Sequence, residues 1–186
     1  MAGWTATKGA SGISPLTRRI ALISMPSGGY RPRVTTATDV ARGTAAGAVG
    51  AATWAAQQPL DKRVFGSDYD DIELLGKLVT LRRWWPLPGL AVHIANGVLF
   101  GAAYALARSH LPGPGWARGL LAAQVENFGL WPLVRFIDHY HPARDELSML
   151  GGNRQALAQA TWRHAIFGIV LGALVERWDR AGHGPA

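Results

Sequence analysis

Cysteine is absent from all 186 residues, so no disulfide, thiolate nucleophile or cysteine-held metal contributes to what the chain does. Charged residues are scarce at 17%, against a hydrophobic share of 48%, a balance that suits short membrane spans with polar tails. Also missing are a phosphate-cradling glycine loop, a dinucleotide fingerprint, a nucleophile elbow and a histidine box of the desaturase kind. These absences lower the case for an enzyme. Acidic residues number 12 against 19 Lys and Arg, for a formal net charge of +7. The arginines gather in the N-terminal tail and at the ends of apolar segments, where anionic headgroups would meet them. No basic stripe interleaved with aromatics follows one element, so the expected partner is the lipid bilayer and not nucleic acid.

What the sequence has in quantity is glycine, 23 residues, much of it regularly spaced. Gly43, Gly47 and Ala51 fall four apart within a run of small residues. In water each helical glycine costs about 1 kcal/mol against alanine, whereas in a bilayer this spacing lets backbones approach and drives association. A first span is expected over about 39–58, with Thr38 or Asp39 as N-cap and Pro59 as its end. In the connection that follows, Asp70, Asp71 and Glu73 favour a helix start, and Leu74, Leu75, Leu78 and Leu81 share a face. Arg82, Arg83, Trp84 and Trp85 suit the headgroup level, so an interfacial amphipathic helix is expected over about 68–83.

Further spans are expected over about 88–107, 117–137 and 156–177. The tight turn between the first two of these predicts antiparallel neighbours. Residues 1–37 read as a disordered basic tail and 179–186 as a C-terminal tail. The apolar run after Arg18 and Arg19 is too short for an export signal.

The spans carry an internal repeat. His93, Gly97 and Gly101 lie four apart, and His164, Gly168 and Gly172 repeat the pattern 71 residues later. Each triplet makes one stripe on a helix, a packing seam with an ionisable group at its end. Pro59 and Pro132 are similarly related, which predicts tandem helical hairpins related by an axis along the membrane normal. The fold class is thus an all-α, integral membrane four-helix bundle of two tandem hairpins, with the interfacial helix between spans 1 and 2. The seams of Gly43, Gly47, Gly97, Gly101, Gly168 and Gly172 serve packing within the chain, or against a homodimer partner or another membrane protein.

Polar residues inside apolar spans mark the candidate site. Glu126 falls near a midplane, where a carboxylate must face inward and find a partner. His93 and His164 lie at matching depth, within about two turns of it. With Asn96, Asn127 and Gln159 they form either a proton or cation relay, a polar-solute pocket, or a network that only ties the helices together. Two histidines at one depth also raise bis-histidine haem ligation. Asp138, His139 and His141 offer divalent-metal chemistry, but histidines two apart on a helix diverge, and a solvated polar rim is the preferred reading.

The paired stripes after a first span rich in alanine and glycine resemble the YagU-like small four-span bacterial inner-membrane proteins of unknown function. The likeness covers about 43–60, 93–104 and 164–175 and does not extend to 61–86 or to Asp138 and its neighbours. It implies four spans and a multi-pass location in a bacterial plasma membrane, and supplies no activity.

Overall fold

The computed structural model describes Met1 and residues 35–182. The expected N-terminal tail from residue 2 to 34, with its arginine pair, and residues 183–186 lie outside the described residues. Among the described residues all regular structure is helical: α1 (Ala37–Phe65), α2 (Asp71–Val79), α3 (Pro86–Ala107), α4 (Gly115–Leu130), α5 (Val134–Tyr140) and α6 (Arg154–Gly182).

Local chemistry sets most boundaries. α1 opens at Thr36, earlier than expected, because Thr36 and Asp39 form a reciprocal capping box. Pro59 does not end it. The helix continues through Pro59 to a left-handed cap at Gly66, since Asp61, two residues beyond the proline, is anchored to α6 by buried hydrogen bonds that outweigh the lost backbone bond. Pro132 does interrupt its segment. α4 stops at Leu130, a 3-10 turn carries Pro132, and α5 resumes at Val134, so the expected 117–137 helix is two pieces. α2 is shorter than the expected 68–83, capped by Asp70, whose carboxylate accepts the Glu73 amide at 2.9 Å. α6 runs into the expected C-terminal tail, to Gly182.

The four long helices pack in the spatial order α3, α1, α6, α4. α1 meets α3, and α4 meets α6, through glycines: a Cβ on Gly47 would strike the Gly97 carbonyl, and one on Gly119 would strike the Gly168 carbonyl. Gly43 faces Gly101 and Gly115 faces Gly172, so both pairs run antiparallel. The contacts of α1 with α3 are thus repeated by α4 with α6, at positions 71 or 72 residues on. Gly115 and Gly119 complete the fourth stripe, which the sequence reading left out. α1 and α6 also pack on each other, whereas α3 and α4 make at most glancing contact. The short turn between α3 and α4 therefore does not make them packed neighbours, because each is held closely by the glycine face of another helix.

Many buried positions on these helices are Ala and Gly, and with them lie an apolar cluster of Trp54, Tyr104, Phe167, Leu171 and Val175 and the polar side chains of Asp61, Gln159 and Arg163. Leu87, Leu90, Leu99 and Leu106 of α3, and Leu121, Val125 and Phe128 of α4, are exposed. One helical stretch, Pro86–His110, is by itself long and apolar enough to cross a membrane, and only 28% of its most apolar window is buried.

Candidate functional site

The site rests on a buried ion network. Arg163 of α6 and Asp61 of α1 both have fully buried side chains. Arg163 donates through Nε to Asp61 at 2.7 Å and through Nη2 to its other oxygen at 2.6 Å. This two-pronged geometry fits a planar guanidinium to a carboxylate. Gln57 and Gln159 each donate to Asp61 at 2.6 Å, so that carboxylate receives four N–H groups. The remaining donors of Arg163 reach Asp71 at 2.7 Å and the Tyr69 carbonyl at 3.1 Å. Every terminal branch of the guanidinium is therefore spent within the network.

Asp71 carries the network to the cavity. It accepts the Trp54 indole N–H at 3.1 Å and a short hydrogen bond from the Tyr69 hydroxyl. Burial, reinforced by the Asp71 carboxylate, pushes the Tyr69 hydroxyl well above its ordinary 10, which keeps it a donor. Asp70, the cap of α2, is bound by Lys62 at 2.6 Å. Burial works against its charge, but Lys62 and the Glu73 amide outweigh it and hold the carboxyl below its usual range. These bonds seat α2 over the end of the α3–α4 cleft.

Within the cleft lies a cavity of about 180 Å³, lined by residues of α1, α2, α3, α4 and α6. Its polar lining is His93, Asn96, Glu126, His164 and Asp71, and its aromatic lining is Trp54, Phe100 and Phe167. Trp54 stands edge-on to both imidazoles, with ring centroids 5.2 Å from His93 and 4.7 Å from His164. The two histidines are pinned through backbone carbonyls. His93 Nε2 donates to Ala51 at 3.1 Å and His164 Nδ1 donates to Ala160 at 2.8 Å. When neutral, His164 therefore presents a lone pair at Nε2, which faces a Glu126 carboxylate oxygen 3.9 Å away. With His164 neutral and Glu126 ionised, two acceptors converge there.

No protein-family model matches the chain, nor does any curated protein or solved structure.

The structure thus brings four of the six expected polar residues, His93, Asn96, Glu126 and His164, to one cavity. The other two lie elsewhere. Gln159 belongs to the ion network, and Asn127 donates to Thr161 at 3.2 Å on the α4–α6 interface. The two histidines raised for haem ligation both lie against the Trp54 indole, and each has one ring nitrogen hydrogen-bonded to a backbone carbonyl. Of the candidate metal residues, Asp138 and His139 lie on α5 and His141 caps it. His141 donates to the Leu74 carbonyl and accepts the Ala143 amide, while Asp138 accepts the Leu150 and Gly151 amides. Asp138 and His141 thus hold the loop before α6, and among the described residues no group of three metal-ligating side chains forms.

Sequence reasoning missed Trp54, Asp61, Tyr69, Asp71 and Arg163 as site residues. A usable signal was present in Arg163, which is the one Asp, Glu, Lys or Arg between Arg154 and Glu176 of α6. A second ion cluster closes the far end of the helices, where Arg108 bridges Asp39 at 2.7 Å and Asp179 at 2.6 Å. Arg42 also pairs with Asp179 there.

Proposed function

We propose that the chain is a small multi-pass membrane protein, an inner-membrane four-helix bundle of two tandem hairpins, that handles a proton or small polar cation in the α3–α4 cleft. Support for the bilayer comes from the outer surface, where leucine, valine and phenylalanine of α3 and α4 are exposed, and from the small residues that bring the helices close. Asp39 and Asp61, which belong to the two ion clusters, are about 33 Å apart along α1 at 1.5 Å per residue, near the roughly 30 Å of a hydrocarbon core. The repeated glycine contacts favour a duplicated hairpin with both copies in the same sense. In such a bundle the α1–α6 and α3–α4 interfaces are equivalent, and one is closed while the other opens as the cleft.

The observation that carries the function is the convergence of Glu126 and His164 in a cavity also lined by His93 and Asn96. An ionisable carboxylate at that depth needs a partner, and a transported proton or cation supplies one. Proteoliposomes holding the purified protein are expected to dissipate an imposed pH or cation gradient, and Glu126→Gln to abolish the flux while the helical spectrum is kept. Equal leak from wild type, Glu126→Gln and empty liposomes overturns the reading.

A second reading is a scaffold that binds another membrane protein, or a second copy, through the exposed apolar face of α4 at Leu121, Val125 and Phe128. A stoichiometric partner that survives mild detergent, together with no flux, would favour it.

A further inference from the structure

We infer that the cleft cavity binds a primary ammonium ion with a short alkyl body, an inference that rests on the cation reading above. Its charge preference follows from the lining. Glu126 and Asp71 bring two carboxylates to the cavity, and the nearby guanidinium of Arg163 is committed to Asp61, Asp71 and the Tyr69 carbonyl. Asp71 is balanced by Arg163, Trp54 and Tyr69. Glu126 accepts no hydrogen bond among the described residues, and its one ion-pair neighbour is His164. An anion would meet that uncompensated carboxylate.

The hydrogen-bond pattern narrows the cation further. When His164 is neutral, the Ala160 carbonyl holds its proton on Nδ1, and Nε2 and the ionised Glu126 carboxylate are then two acceptors 3.9 Å apart. A single group that donates two N–H bonds, one to each, resolves this geometry. A primary ammonium has three such donors, and Asn96 adds an amide to the same lining. A quaternary ammonium has none and leaves both acceptors unmade.

The apolar half of the cavity defines the body. Trp54, Phe100 and Phe167 supply aromatic surface, which attracts both an alkyl chain and a desolvated cation. The volume of about 180 Å³ equals roughly six waters at 30 Å³ each, room for an amine of a few carbons and not for a drug-sized cation. His164 on α6 is the ionisable group beside Glu126, at 3.9 Å, and His93 on α3 and Asp71 on α2 line the same cavity.

Calorimetric titration of the detergent-purified full chain with ethylammonium chloride is the test, with tetramethylammonium chloride as the probe that lacks N–H. Saturable ethylammonium binding is expected, weakened on the order of ten- to a hundredfold in Glu126→Gln by loss of the charged acceptor. Tetramethylammonium should bind at least about tenfold more weakly than ethylammonium. Equal affinity for the two, binding unchanged in Glu126→Gln, or no ethylammonium heat each overturn the inference. A Glu126-dependent flux in proteoliposomes without ethylammonium binding would refute the amine alone and leave the cation reading standing; absence of both removes both.

Discussion

Replacing Arg163 by methionine keeps an unbranched apolar stem, removes the guanidinium and strips the network of all its Arg163 bonds. Asp61 would fall from four N–H donors to two, those of Gln57 and Gln159, and would remain fully buried. Asp71 would keep Trp54 and Tyr69 and lose its one cation. Breaking a buried pair by removing one partner costs about 3–5 kcal/mol, between two and four powers of ten in the folding equilibrium. Arg163→Lys keeps the charge but cannot span both Asp61 oxygens, so it should cost less, about 1–3 kcal/mol. The double replacement Asp61→Leu with Arg163→Met removes the stranded charge as well and should be more stable than Arg163→Met alone. Equilibrium unfolding in mixed detergent micelles, followed by circular dichroism, ranks the four proteins. A cost under about 1 kcal/mol for Arg163→Met, the range of exposed ion pairs, would refute the buried network, as would a double variant less stable than Arg163→Met.

Glycine contacts predict a contrast between two alanine substitutions on one helix. A Cβ on Gly119 meets the Gly168 carbonyl, while one on Gly129 meets nothing within 4 Å; Gly119→Ala should lower the unfolding free energy, and Gly129→Ala should leave it unchanged or raise it by about 0.5–1 kcal/mol. The same assay checks both. Asp70 gives a pH prediction. Its folded value lies below the ordinary 3.8, so its stabilisation of α2 is fully present above the unfolded value and is lost as pH falls through the folded one. The stability gap between wild type and Asp70→Asn should be constant above about pH 5 and close in strong acid; a gap that widens on acidification would contradict the assignment. If the chain lies in the bilayer, the protein stays in the membrane fraction after an alkaline carbonate wash, and its release would count against the spans.

How much of this was legible in the sequence depends on range. The glycine seams were readable because spacing of four survives as a local pattern, and each contact repeats it. His93, Asn96, Glu126 and His164 were readable for a related reason: polar groups inside apolar helices must turn inward. The Asp61–Arg163 pair was not, because its partners are 102 residues apart and nothing local in either helix names the other. Pro59 misled for the same reason, since tertiary bonds from α6 carry α1 past it. The separation of α3 from α4 was hidden because a short turn fixes proximity at one end only, and the glycine faces decide which helices close up.

Because the chain contains no cysteine, single substitutions can report the surroundings of chosen sites without background. Asn96 lines the cavity, whereas Leu99 of α3 and Val125 of α4 are exposed apolar positions on the outer surface. Treating intact membranes with a small cationic thiol reagent should modify Asn96→Cys and spare Leu99→Cys and Val125→Cys. That pattern requires a water-filled, cation-admitting cleft between lipid-covered helices. Equal modification at all three positions, or protection of Asn96→Cys along with the others, would contradict it.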